Sequence, residues 1–227
     1  MLAHEVDARS AWERRIFDSV LGRTSSTWRG HVLRVALAGL LFGAAMGSYD
    51  LSDAERLKMP VFAGIKSPLL VLATTLICLP GYFVLSTVLG LRKDFVAAFG
   101  SILAGQAAQM LALASLAPVL LFVYACGITH MQALAASAAM FTIATGMGYM
   151  VLWRRYRPLL AQTRRHRVML VFWVVMYVFV GIQMGWMLRP FVGTPGMAVT
   201  FVRQEPFSNA YVAVSKILIG AVRGGGR

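Results

Sequence analysis

Histidines and carboxylates are the side chains best suited to move protons or hold metal ions, and this chain places few of them where they could act together. Its four histidines, His4, His31, His130 and His166, are scattered across loops and the ends of apolar runs. Its nine acidic residues leave the whole stretch from Phe95 to Gln204 without a single Asp or Glu. General acid–base catalysis and proton relay both need such groups close to one another. No histidine, cysteine or carboxylate set has the spacing of a metal site, and no serine stands in a nucleophile-elbow context. The expectation is therefore no catalytic residue, no metal and no cofactor: the chain does not read as an enzyme. Cys78 and Cys126 have neither zinc nor disulfide spacing and read as small apolar fillers. The thirteen methionines read as flexible packing material, since no cysteine or histidine accompanies them as a soft-metal set.

The remaining candidates are milder polar groups set within apolar sequence: Thr74, Thr75, Gln106, Gln109, Ser115, Thr142, Thr145 and Gln183. In a membrane they suit interhelical hydrogen bonds, each worth about 0.6 kcal/mol. The alternative is that they line a polar path.

What must position these groups is a set of membrane spans. Of 227 residues, 58% are hydrophobic and 14% charged, the charges gathering between long uncharged stretches. Mean hydropathy is +0.68, well into the membrane class. A span needs roughly 20 apolar residues to cross about 30 Å of hydrocarbon. Five stretches qualify, at about 31–49, 67–90, 103–126, 130–152 and 168–188. The uncharged run from Phe95 to Thr129 is too short for two spans and a turn, so it reads as one long helix, bent near Gly100 or Pro118. "LPGY" (79–82) reads as an interruption of the second span. The expected fold is an all-α membrane protein: a bundle of about five transmembrane helices with amphipathic N- and C-terminal flanking helices.

Three regions follow. Residues 1–30 form a cytoplasmic amphipathic segment, in which "WERRIFDSVL" (12–21) puts Trp12, Ile16, Phe17, Val20 and Leu21 on one helical face. Residues 31–188 form the transmembrane domain. Residues 189–227 form an extracytoplasmic tail whose segment 207–222 reads as interfacial, being short for a span and carrying Lys216. Charges recur through the first 29 residues without an apolar core, so insertion is expected to rely on the spans themselves.

Basic residues set the orientation. With the N-terminus inside, fourteen Lys and Arg fall on the cytoplasmic side and eight outside, five of those eight in the tail. The net charge of +13 is not a nucleic-acid footprint, because the basic residues flank spans and form no single patch with interleaved aromatics. Arg154, Arg155, Arg157, Arg164, Arg165 and Arg167, in "RRYRPLLAQTRRHR" (154–167), are expected against anionic headgroups.

Glycines supply the packing signal. Gly39, Gly43 and Gly47 recur every four residues, as do Gly181 and Gly185, a spacing that lets helix backbones approach closely in lipid. They are expected to pack helices within the protomer, with self-association as the alternative.

"LRPFVGTPG" (188–196) ends the fifth span. Trp186 and Arg189 share a helical face, so the guanidinium can stack on the indole or reach phosphate. Pro190 stops the helix, Gly193 and Gly196 allow the turns beyond, and Glu205, Asp50 or Asp53 is the expected carboxylate partner for Arg189. This is a structural clamp for the tail.

Several of these stretches also resemble a family of bacterial multi-spanning membrane proteins. The resemblance rests on "IKSPLLVLATTLICLPGYFVLSTVLG" (65–90), "GLLFGAAMGSYD" (39–50), "LASLAPVLLF" (113–122), "FVGIQMGWMLRPFVGTPG" (179–196) and "FVRQEPFSNAYVAV" (201–214). The most specific part is similar to an ending F-V-G-x-Q-x-x-W-x-L-R-P-F-x-G-x-P, which marks Gln183, Trp186, Arg189, Pro190, Gly193 and Pro195 as motif positions. The layout is also similar to the Yip1-like membrane fold, which implies five spans and a cytoplasmic N-terminus. Neither resemblance implies a catalytic mechanism.

The expected function is a non-catalytic scaffold or accessory subunit of a larger assembly in the bacterial inner membrane. Its partners would be anionic lipids and other membrane subunits, or a second copy of the chain, with no nucleic acid. The alternatives are a small channel or transporter with a Gln/Thr-lined path, or a lipid-handling protein. The orientation is directly testable: a reporter fused after Arg227 is expected to be active outside the cytoplasm. Activity inside would mean an even number of spans.

Overall fold

A computed structural model of the chain describes residues 28–49, 51, 54–189, 191–193 and 201. Among them are five long helices and no strand: α1 (Trp28–Gly47), α2 (Lys58–Val88), α3 (Phe95–Ala125), α4 (His130–Gln162) and α5 (Arg165–Met187). Each is long and apolar enough to cross a membrane, which makes this an all-helical multi-pass membrane protein. The expected flanking helices, within 1–27 and 207–222, lie outside the described residues.

The helices outrun the apolar spans. α2 begins at Lys58, nine residues before its expected span, and continues without interruption through both Pro68 and Pro80. "LPGY" therefore does not break it; in a bundle, neighbouring groups tolerate the carbonyl that a proline frees. α3 is one helix through Gly100 and Pro118. α4 runs on to Gln162, so most of the arginine cluster is helical and the turn shrinks to Thr163 and Arg164.

Local sequence explains the ends. α4 starts with a reciprocal capping box: Gln132 N–H donates to Thr129 Oγ1, and Thr129 N–H donates to Gln132 Oε1 at 2.9 Å. α2 and α3 are followed by Gly90 and Gly127 at φ +74° and +73°, the left-handed conformation that ends helices with little strain only for glycine. Of the two cysteines Cys78 is buried, but Cys126 is exposed beside Gly127 and fills no core.

Packing is organised by α1, which lies against both α2 and α3; α3 in turn packs on α4, and α5 leans on α2. The α1–α2 approach runs along the glycine stripe. A Cβ at Gly43 would collide with the carbonyl of Ala63; one at Gly47 would stand 2.6 Å from the Met59 carbonyl oxygen, and one at Gly39 3.0 Å from Pro68. A second close crossing joins α3 and α4, where a Cβ at Gly105 would meet the Gly148 carbonyl oxygen at 3.0 Å and one at Gly148 would meet that of Gly105 at 2.9 Å. Gly181 and Gly185 behave differently. A Cβ at Gly181 would only touch the Thr74 methyl at 3.8 Å, and Gly185 faces open space.

Apolar side chains fill the joints these crossings leave. One cluster, around Phe42, Met110 and Leu120, ties α1, α3 and α4 together. Another, around Tyr82, Tyr156 and Trp173, ties α2 to α5 near the α4–α5 turn. Away from that turn α4 and α5 barely touch.

Replacing Gly43 with alanine is expected to depress the thermal midpoint strongly. The obstacle is backbone, so the cost should exceed the about 1–3 kcal/mol typical of overpacking a core. Gly185→Ala is expected to leave the midpoint unchanged. Thermal unfolding in detergent checks both, and an unaltered Gly43→Ala protein would contradict the packing described here.

Candidate functional site

The gap between α4 and α5 opens onto a cavity of about 400 Å³, enclosed by α2 and α3 behind and by α4 and α5 at the sides. Its walls are mostly apolar, with Phe141, Leu152 and Trp173 among them, and no charged side chain lines it. The polar groups at its surface are Thr74 from α2, Gln106 and Gln109 from α3, Thr145 and Tyr149 from α4, and Tyr177 from α5. An apolar pocket with a few placed polar groups is the usual form of a small-molecule site, and the volume falls within the common range of about 300–1,000 Å³.

The hydrogen bonds here fix one another. Thr75 Oγ1 donates its only proton to the Val71 carbonyl at 2.7 Å, one turn back on α2. That oxygen can then only accept, and Gln106 Nε2 donates to it at 2.8 Å, joining α3 to α2. Gln106 Oε1 points the other way, where it is buried without a hydrogen-bond partner. The neighbouring Thr74 hydroxyl is likewise buried and unpartnered. Gln106 is 6% exposed and Thr74 1%, so bulk water does not reach either. Gln109 Nε2 donates to Thr145 Oγ1 at 3.0 Å and ties α3 to α4. Ser115 and Thr142 instead bond back to carbonyls of their own helices.

A second hollow of about 390 Å³ lies toward the ends of α1 and α5 and shares Leu70 and Phe141 with the first. His130, Ser137, Arg189 and Val192 line it. Arg189 is exposed and stacks on the Trp186 indole, its guanidinium carbon 4.2 Å from a ring centroid. Val192 and Gly193 are buried, and a Cβ on Gly193 would touch Met59 at 3.5 Å, so the segment after α5 folds back onto the bundle. Gln183 is half-buried in α5. Pro190, Pro195, Glu205, Asp50 and Asp53 lie outside the described residues, and with them the expected carboxylate clamp.

Of the six arginines expected at headgroups, Arg154, Arg157, Arg164, Arg165 and Arg167 are exposed and Arg155 is half-buried. Arg165 also donates to the Leu89 carbonyl at 3.1 Å, pinning the α4–α5 turn to the end of α2.

Two features escaped the sequence reading. Lys66 is fully buried in α2, with its ammonium 5.2 Å from the Phe201 ring centroid. It stands one residue before the expected span 67–90, and the helix begins earlier than its apolar run, at Lys58. At the cytoplasmic end by the expected topology, His166 Nε2 comes within 3.3 Å of Asp94 Oδ2, off the line of a hydrogen bond, so the contact is one of charge when the imidazole is protonated. Tyr82 and Tyr156 share a hydroxyl–hydroxyl hydrogen bond of 3.2 Å beside it. Nothing local in the sequence pairs Asp94 with His166. Among the described residues no three metal-ligating side chains come together.

Compared with protein-family models, curated proteins and solved structures, the chain matches none.

The Gln106–Thr75 bond has a measurable consequence. Thr75→Val keeps the shape but removes the acceptor, leaving the Gln106 amide protons unmet. The folded bundle is expected to survive with a loss of about 0.6–1.7 kcal/mol, the range for interhelical hydrogen bonds in membranes. Thermal unfolding beside the wild type measures it; a stabilised variant would show that Gln106 points elsewhere.

Proposed function

We propose that this chain is a non-catalytic protein of the bacterial inner membrane that takes one lipid-soluble molecule from the bilayer into the cavity between α4 and α5. Of the roles its sequence leaves open, lipid handling is the one the geometry supports best. The single observation that carries the reading is the cavity itself: about 400 Å³ of apolar-walled space beside the α4–α5 gap, with no charged side chain in its lining. A hydrated channel is supported less well, because the groups capable of binding water or ions are few and the charged ones lie elsewhere.

Extraction into nanodiscs without detergent, followed by mass spectrometry of the bound small molecules, tests the proposal. One apolar species is expected at about one per protein, enriched over the surrounding membrane, and lost when Thr145→Phe fills the cavity. Composition equal to bulk lipid in both proteins would contradict it.

An accessory role in a larger assembly is the second reading. α5 favours it, being the least buried of the five helices, with Val171, Val175, Phe179 and Ile182 exposed along it. Lipid or a partner helix would cover that face, and crosslinking in intact membranes distinguishes the two.

A further inference from the structure

We infer that the second hollow, beside Arg189, binds a bilayer lipid by its anionic headgroup and one acyl chain. The site is separate from the cavity between α4 and α5 and does not rest on that cavity being occupied. It lies where α1 and α5 end and α4 begins, at the level of Trp186, a residue type favoured at the membrane interface. Arg189 is exposed and is the one permanently charged side chain in the lining. Its guanidinium carbon lies 4.2 Å from a Trp186 ring centroid. The ring answers part of the charge but accepts none of the five guanidinium N–H donors as a full hydrogen bond. Among the described residues no carboxylate pairs with Arg189. The anionic oxygens of a headgroup do what the ring cannot, because two of them take paired donors at once.

The rest of the wall is shaped for a chain. On α4 the lining residues His130, Leu134, Ser137 and Phe141 follow one another at steps of four, three and four residues, so they form one stripe along the helix. From His130 to Phe141 the stripe descends about 16 Å from the interface. The Ser137 hydroxyl donates to the Ala133 carbonyl at 2.9 Å, so below His130 little on the stripe competes with an apolar contact. Met46, Leu70 and Val192 complete the lining. The stripe starts at the positive end of the α4 dipole, which favours negative charge beside it. A free anion would leave the apolar wall uncovered, and a neutral hydrocarbon would leave Arg189 without an acceptor. An anionic lipid meets both demands. A zwitterionic lipid brings an ammonium to the same place, and no Asp or Glu stands between Phe95 and Gln204 to receive it.

The test uses the full-length protein in phosphatidylcholine nanodiscs doped with a small fraction of phosphatidylglycerol or of phosphatidylcholine, either one carrying a diazirine on a chain. The anionic probe is expected to label peptides containing Leu134 or Val192 about tenfold more than the zwitterionic probe. Arg189→Gln should remove that difference, and Arg189→Lys should keep part of it, since the charge stays while the paired donors are lost. If the Arg189→Gln protein does not fold, Leu134→Trp gives a second reading: it fills the hollow and should lower labelling at Val192 by the anionic probe. Thr145→Phe, which fills the cavity between α4 and α5, should leave this labelling unchanged, so the two readings fail separately. Equal labelling by both probes, or a preference retained in Arg189→Gln, would overturn the inference. Displacement by inorganic phosphate would also overturn it, because the site would then take a free anion. So would a preference that emerges only in Glu205→Gln, because the tail carboxylate would then be what holds Arg189.

Discussion

The α1–α2 contact at Gly43 has almost no tolerance, and the layout of the bundle depends on it. With hydrogen as its side chain, Gly43 lets the α1 backbone rest on the carbonyl of Ala63. Lipid tails are as apolar as leucine, so spans gain little from burying apolar surface against one another; van der Waals contact over a close approach does more. α1 also lies on α3, and so sets how far α2 and α3 can close. These two scarcely meet directly, and the Gln106–Thr75 hydrogen bond bridges what remains. With the second close crossing at Gly105 and Gly148 drawing α4 onto α3, and α5 resting on α2, the space opposite α1 is left as the cavity.

Polar groups then divide by what the low dielectric demands of them. Ser115 and Thr142 cap their own carbonyls, and Gln109 pairs with Thr145. At one end of the bundle Arg165 on the Leu89 carbonyl ties α5 to the end of α2, Asp94 beside His166 ties α5 to the start of α3, and the paired tyrosines tie α2 to α4. His31, Ser67, Thr74 and Gln106 are among the residues that keep a buried polar atom without a hydrogen-bond partner, and no charged side chain lines the cavity. The fold is therefore tight at its glycine crossings, closed at one end, and loose where α4 and α5 diverge.

Much of this frame is legible in the sequence. Five uncharged runs mark five helices, and the stripe Gly39–Gly43–Gly47 marks a face that a neighbour approaches. What could not be read depends on which helices become neighbours. Gly105 and Gly148 have no glycine four residues away, only Ser101 and Ala144, so their meeting in space is what makes them a crossing. Conversely, Gly181 and Gly185 have the spacing without the close approach. Arg154 to Gln162 looked like a loop because hydropathy ends there, yet arginine, leucine, alanine and glutamine are good helix formers and α4 simply continues. Lys66, one residue before the expected span 67–90, falls inside α2 for the same reason. Gln106 is visible as a polar residue in a span, but its bond to Thr75 depends on which helices become neighbours.

The account stands or falls on whether the space beside Gln106 is occupied in a bilayer. An experimental density map of the protein in nanodiscs, at a resolution that separates side chains, answers this most directly. The account predicts elongated non-protein density between α4 and α5, against Phe141, Leu152 and Trp173. A bundle in which α5 has closed onto α4 and side chains fill that space would contradict it.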